Sequence, residues 1–315
     1  MATIPDFHPQ SILLAGPTAV GKSEIALALA GKLNGEIISV DSMQVYRGLD
    51  LGTAKPSVAE RRKVPHHLID VVELTEPFDA AQFVRLAQAA IGEIQSRNRT
   101  PILCGGTGLY FKALLEGLGD APPSDAKVRA ELEATPLLDL LRELEQSDPV
   151  TSAKIDRQNP RRIIRALEVI RLTGKPFSAQ RATWSPATRP EQPPSLFFGL
   201  TREAADLQSR MNSRVDAMFR SGLVTETQEL LKRGLAENKT AMQAIGYRQV
   251  VEHLRGERSL PATIELVKIR TRQFAKRQMT WFRRQASMTW VNLGASEKAD
   301  TVVEKLAAAY RIAPN

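Results

Sequence analysis

The stretch Gly16-Pro17-Thr18-Ala19-Val20-Gly21-Lys22-Ser23 has the spacing G-x-x-x-x-G-K-[ST] and lies between a run of strand character and a run of helical character. In that setting the glycines let backbone N–H groups turn inward around phosphate oxygens, and the following helix adds its positive N-terminal end. Lys22 supplies a point charge, and the Ser23 hydroxyl can ligate Mg2+. These eight residues are expected to bind a di- or triphosphate. They do not name a reaction. The Asn-Lys-x-Asp that a GTPase needs to read its base is absent. Val40-Asp41, the nearest match to the acidic strand end of an ATPase motor, continues into Ser42-Met43-Gln44. The loop alone leaves open a kinase for a small molecule and an RNA-binding module whose loop gates binding.

The elements that must position this loop read as α/β. Ser11–Ala15 is a short apolar run feeding the Gly-rich turn, and Ile25, Leu27, Leu29 and Leu33 suit a helix packed on a sheet. Glu36–Val40 is a second β-rich run, ending at Asp41. Pro101–Cys104 is a third, followed by Gly105-Gly106-Thr107-Gly108. Between them, Asp79–Arg97 carries Phe83, Leu86, Ala90, Ile91 and Ile94 at helical spacing. Strands alternating with helices predict a P-loop core with a parallel sheet and helices on both faces. Residues 122–194 change texture: Val128–Leu132 and Leu137–Leu144 are helical, and Pro186–Pro194 reads as a linker or hinge. The expected division is a core of 1–121 and 195–315 with a basic helical C-terminal part, interrupted by a helical insertion domain at 122–194. The core resumes with a strand at Ser195–Leu200, and a last strand is expected near Met288–Val291.

Composition narrows the function classes. The chain of 315 residues has one cysteine, Cys104, which excludes a disulfide framework and every cysteine-based zinc site. Cys104 itself, at a strand end, is expected to be a small buried residue. Neither a signal-peptide core nor an apolar run of ~20 residues is visible, so a soluble, cytoplasmic protein without membrane contact is expected. The net charge of +8 suits a polyanionic partner. Seven of the 43 Lys and Arg residues cluster in Lys268–Arg284, where Arg270, Arg277 and Arg284 recur every seven residues beside Phe274, Trp281 and Phe282. A basic helical face suits a nucleic-acid backbone, with the aromatics expected mainly in the core. His66 and His67 lack a third ligand nearby and are expected to be structural.

Seven blocks in order resemble the tRNA dimethylallyltransferases: GPTAVGKS (16–23), SVDSMQVYRGLDLGTAKP (39–56), VPHHLID (64–70), CGGTGLY (104–110), NPRRIIRALEV (159–169), AIGYRQ (244–249) and TRQFAKRQMTWFR (271–283). Eukaryotic relatives often carry a Cys/His zinc finger, and with Cys104 alone the chain resembles the bacterial form. The resemblance implies transfer of a dimethylallyl group from dimethylallyl diphosphate to the exocyclic amine of the adenosine just 3′ of the tRNA anticodon. The products would be N6-(dimethylallyl)adenosine and diphosphate. The loop would then hold a prenyl diphosphate rather than ATP, with Mg2+ as cofactor and the anticodon stem-loop as partner; a monomer is expected.

The same resemblance implies the roles. Asp41 would be the general base, and Thr18, Lys22 and Arg214, the last within RVDAMFRSGL (214–223), would neutralise the leaving group. Gly16, Pro17, Thr18, Ala19, Val20, Gly21, Lys22 and Ser23 would bind the diphosphate, with Ser23 on the metal. Contact with tRNA would come from Asp41, Ser42, Met43, Gln44 and Thr107. On the insertion it would come from Arg129, Arg161, Arg162, Ile163, Ile164 and Arg165. Toward the C-terminus it would come from Gln243, Ala244, Ile245, Gly246, Tyr247 and Arg248, then from Lys276, Arg277 and Arg283. Flipping of the target base is implied, because its amine is out of reach in a stacked loop. Arg161 stands where the family more often has Gln.

Overall fold

The computed structural model describes residues 11–180, 196–294 and 299–312. The first strands and helices are β1 (Ile12–Ala15), α1 (Lys22–Lys32), β2 (Gly35–Val40), α2 (Val58–Lys63), β3 (His66–His67), α3 (Ala80–Ser96), β4 (Thr100–Gly105) and α4 (Gly108–Glu116). Four helices follow, α5 (Ala126–Ala134), α6 (Leu137–Ser147), α7 (Pro149–Ser152) and α8 (Pro160–Thr173). The chain closes with β5 (Phe197–Arg202), α9 (Ala204–Arg220), α10 (Leu223–Lys232), α11 (Tyr247–Leu254), α12 (Leu260–Gln285), β6 (Thr289–Leu293) and α13 (Ala299–Ile312).

The six strands form one parallel sheet in the order β3-β2-β4-β1-β5-β6. Alternation of side chains along a strand sends successive residues to opposite faces. Leu13, Ile38 and Leu103 accordingly join one core with Phe83, Phe111 and Tyr247. Ile12, Leu14, Ile37 and Ile102 join a second with Ile25, Leu29, Val302 and Leu306. Coverage on both faces explains why the strands are continuous apolar runs. The helix expected at Asp79–Arg97 is α3, started by an Asp79–Gln82 capping box and burying Phe83, Ala87, Ala90, Ile91 and Ile94 at three- and four-residue steps. Helix α13 lies beyond the last element read from the sequence, and it fills the second core with Val302, Val303, Leu306 and Ala307.

The described residues divide into two compact units, one made of 116–180 and the other of 11–115 with 196–294 and 299–312. The smaller is all helical, with Leu132, Leu140, Leu144, Ile163 and Leu167 at its centre. The Pro-rich linker expected at Pro186–Pro194 and the first residue of the strand expected at Ser195–Leu200 lie outside the described residues. His66 and His67 pair with β2, and their rings bond Val64 O (2.7 Å) and Glu36 (2.6 Å), which is the structural role expected of them.

Candidate active site

Parallel strands point their carboxyl ends one way, so loops that follow adjacent strands gather at one edge of the sheet. Here the loop after β2 carries Asp41, the turn after β4 carries Gly106 and Thr107, the loop after β1 is the phosphate loop, and β5 ends at Arg202. Those four strands are consecutive neighbours. Three blocks far apart in sequence therefore meet because of strand order.

Two arginines from the following elements grip the phosphate loop, Arg210 Nε donating to Ala19 O (3.1 Å) and Arg202 Nε to Val20 O (2.8 Å), while the loop's own Lys22 Nζ donates to Gly16 O (3.0 Å) and Pro17 O (2.7 Å). In a trans peptide the carbonyl and the next N–H point in opposite directions. Turning Ala19 O and Val20 O outward therefore aims the N–H groups of Val20 and Gly21 at the concave side. Ala19 at φ 64° and Gly21 at φ 109° produce the curl, the former at a cost of about 1 kcal/mol for a residue with a Cβ. Gly16 is required for another reason, since a Cβ there would sit 2.7 Å from Leu200 O.

Positive charge dominates the loop's surroundings. Desolvation lowers the Lys22 ammonium to about 8, reinforced by Arg214 and opposed by Asp41. Burial also lowers Arg214, whose field includes Asp41 as an attractive charge and Arg210 as a repulsive one. Among the described residues Arg214 forms no ion pair, unlike a surface arginine balanced by an acid. It therefore keeps charge for a ligand. Ser23 is exposed in the first turn of α1. Cys104 is half-buried rather than fully buried, and desolvation pushes its thiol up to about 11, so it stays protonated at neutral pH.

Asp41 Oδ1 accepts from Met43 N (2.8 Å) and Gln44 N (3.3 Å), which fixes the carboxylate against its own loop. Its Oδ2 takes no hydrogen bond among the described residues. Thr107 Oγ1 accepts from Ser42 N (3.1 Å), and Thr107 N donates to Val40 O (3.2 Å), tying the two loops together. That hydroxyl can still donate. Gln44 is spent on structure: its amide nitrogen bonds Thr53 O at 3.1 Å, and its oxygen accepts from Ser39 at 2.8 Å. Met43 packs on the first core.

Several residues expected at a nucleic-acid contact have other neighbours. Ile163 and Ile164 are in the core of the helical unit, while Ala244, Gly246 and Tyr247 are buried in the other unit. Their side chains are turned into the packing of their own units. Tyr247 is occupied instead by Glu226, to which it donates (2.5 Å), and by Gly52 N, from which it accepts (3.0 Å). Arg129 and Arg165 each pair with the fully buried Glu168, at 2.9 and 2.8 Å. Arg161, Arg162, Gln243 and Arg248 are exposed, and Ile245 is half-buried.

Lys276, Arg277 and Arg283 are exposed on α12 and have no ion pair among the described residues. With Gln273, Thr280, Trp281 and Arg284, the first two line a groove of about 550 Å³. Phe274 is exposed and lies under the Arg277 guanidinium (5.8 Å to the ring centre), so of the three aromatics only Phe282 is fully in the core. Arg202, Arg210 and Gln278 also touch the phosphate loop, at Val20 O, Ala19 O and Thr18 N; the first two stand in no block singled out from the sequence, and Gln278 stands in the block 271–283 without having been singled out.

A profile of the family described as IPP transferase matches residues 44–285. The tRNA dimethylallyltransferase 1 of Trichlorobacter lovleyi is 49% identical over 287 residues, covering 90% of this chain and 93% of that protein. The tRNA isopentenylpyrophosphate transferase of Bacillus halodurans, a crystal structure, superposes with a TM-score of 0.68 at 40% identity, over 96% of this chain and 97% of that one. A eukaryotic dimethylallyltransferase, crystallised in snapshots of its action on tRNA, gives a TM-score of 0.76 at 29% identity, over 94% and 77%. A parallel sheet whose phosphate loop stands beside Asp41 and Thr107, together with matches across nearly the whole length, places this chain in the IPP transferase family.

Proposed function

We propose that this chain transfers a dimethylallyl group from dimethylallyl diphosphate to the exocyclic amine of the adenosine 3′ of the anticodon in tRNA. The observation that carries this reading is the juxtaposition of an anion-binding loop with a carboxylate whose second oxygen is open. Phosphoryl or prenyl diphosphates fit the loop, but Asp41 beside it suits a reaction in which an amine loses a proton. Relatives named tRNA dimethylallyltransferase supply the substrate classes.

In this reading the amine nitrogen forms its bond to C1 of the dimethylallyl group as the C1–O bond breaks and its electron pair leaves with diphosphate. Lys22, Arg214 and the inward N–H groups of the loop stabilise the charge that grows on the leaving group. Asp41 Oδ2 takes the proton that the nitrogen sheds as the alkylated amine becomes cationic. Thr107 hydroxyl donates to the acceptor adenosine. The exposed Ser23 hydroxyl fits Mg2+, which takes few protein ligands and completes its shell with phosphate oxygens and water. When bound, the ion would screen diphosphate charge. Lys276, Arg277, Arg283 and Arg162 are the exposed cations for the tRNA backbone. The protein acts as a cytoplasmic monomer in this reading; no described helix is long and apolar enough to cross a membrane.

The test mixes protein, Mg2+, unmodified tRNA and labelled dimethylallyl diphosphate, with γ-labelled ATP in a parallel tube. Label on tRNA, with none moving from ATP, is the expected result. Transfer from ATP to a small acceptor, with tRNA unlabelled, would replace this reading with a kinase.

A further inference from the structure

Helix α12 carries a buried amide that faces away from its basic side. Gln278 is 8% exposed, between the exposed Arg277 and the half-buried Met279. Its Oε1 accepts from Thr18 N in the phosphate loop (2.9 Å), and its Nε2 donates to Gly106 O in the turn after β4 (2.9 Å). The two partners fix the orientation of the amide, since an N–H requires an acceptor and a carbonyl requires a donor. Contact is close enough that a Cβ on Gly106 would fall 2.3 Å from Nε2.

The bridge extends beyond its two partners. Gly106 precedes Thr107, whose hydroxyl holds Ser42 N, and Ser42 follows Asp41. A continuous path of hydrogen bonds and peptide units thus runs from Thr18 through Gln278 to the loop that carries the open carboxylate. Thr18 N points away from Lys22 and toward Gln278, because Pro17 O, in the same peptide unit, is turned toward Lys22.

We infer that Gln278 is a positioning residue that sets the spacing between the diphosphate loop and the Thr107–Asp41 side, so that the leaving group and the acceptor amine meet in line. This rests on the transferase reading above. Its energetic logic is that of oriented reactants: diphosphate and tRNA can each bind to their own groups without the bridge, yet a displacement of about 1 Å between them costs on the order of a hundred-fold in rate.

The test compares wild type with Gln278→Met, nearly the same shape without the amide, and Gln278→Asn, which keeps the amide but is one methylene too short to span both partners. Melting temperature, affinity for inorganic pyrophosphate, affinity for unmodified tRNA, and kcat and KM for both substrates are measured. The expected result is a fall in kcat of about ten-fold or more in both variants, with both affinities close to wild type. A smaller fall overturns the inference. So does a loss of pyrophosphate affinity in proportion to the loss of turnover, which would make Gln278 only a support of the loop. Should Gln278→Met fail to fold, Gln278→Asn carries the same comparison. If wild-type protein transfers no dimethylallyl group, the transferase reading and this inference both fall, whereas normal transfer by wild type and variants alike overturns the inference alone.

Discussion

The phosphate loop and the Glu168 cluster of the helical unit both collect arginines, with opposite results. Around Glu168, Arg129 and Arg165 meet a carboxylate that is fully buried and that also accepts from Ser124 Oγ (2.7 Å) and Asp125 N (3.0 Å). The charges there are internally balanced, and burial tends to raise Glu168 while its hydrogen bonds and arginines bring it below the ordinary range. Around the phosphate loop, Arg202 is balanced by Asp206 (2.8 Å), but Arg210 and Lys22 meet neutral carbonyls, and Arg214 has no acid at contact distance among the described residues. An arginine's type thus says little about ligand binding. What decides is whether the fold has already given it an anion.

Substitutions on the two sides should separate catalysis from stability. Lys22→Met and Asp41→Ala are expected to lower turnover by about 10²–10⁴-fold with little change in melting temperature, read by steady-state kinetics beside thermal unfolding. Glu168→Ala should do the reverse. It leaves Ser124, Arg129 and Arg165 without their acceptor and costs about 2–4 kcal/mol of stability, discounted for the partial exposure of both arginines, while pyrophosphate affinity stays near wild type. Pyrophosphate binding that fails in Glu168→Ala protein still folded by circular dichroism would erase the distinction.

The pH responses should also oppose each other. Glu168 is held below its unfolded value, so its contribution to stability is present above the unfolded carboxylate pKa of ~4.3 and is lost as pH falls through the lower folded value. Acid should therefore weaken the helical unit, seen as a melting temperature that drops below about pH 4 in wild type but less in Glu168→Gln. Lys22 at about 8 works from the other side. As pH rises through that value the ligand-free lysine loses its proton, and the affinity for diphosphate should fall. Calorimetry in buffers of different ionisation enthalpy should detect, beyond the protonation change of pyrophosphate itself, an added uptake of roughly half a proton per molecule bound near pH 8 and almost none near pH 6. The smallest effect concerns α12: replacing Lys276, Arg277 and Arg283 together should lower the salt slope of tRNA binding by about 2–3, measured by titration at several salt concentrations.

What could be read from the sequence was contiguous. The loop at 16–23, the strand–turn boundaries at Asp41 and Gly105, and the periodicity of α3 and α12 each lie within a few residues, where spacing has a direct geometric meaning. The clamps on the loop were out of reach for the opposite reason: Arg202, Arg210 and Gln278 touch it from 182, 191 and 260 positions away. Burial was the other blind spot. Ile163 and Tyr247 stand in blocks that resemble tRNA-contacting segments, yet one fills a helical core and the other donates to Glu226, itself raised by desolvation. Block membership marks a segment, and only packing tells which of its side chains face outward.

The turn after β4 limits how the protein can change over generations. A Cβ at Gly105 would lie 2.0 Å from Val40 O, at Gly106 2.3 Å from Gln278 Nε2, and at Gly108 2.1 Å from the Trp281 ring. The first obstacle is backbone of a neighbouring strand and the third a packed ring, so no single substitution at Gly105 or Gly108 is accommodated without a matching change elsewhere, and one at Gly106 displaces the Gln278 amide from its bridge. Laboratory evolution toward a bulkier allylic donor should therefore find its first beneficial changes outside this turn. Any route through it would have to cross a less fit intermediate.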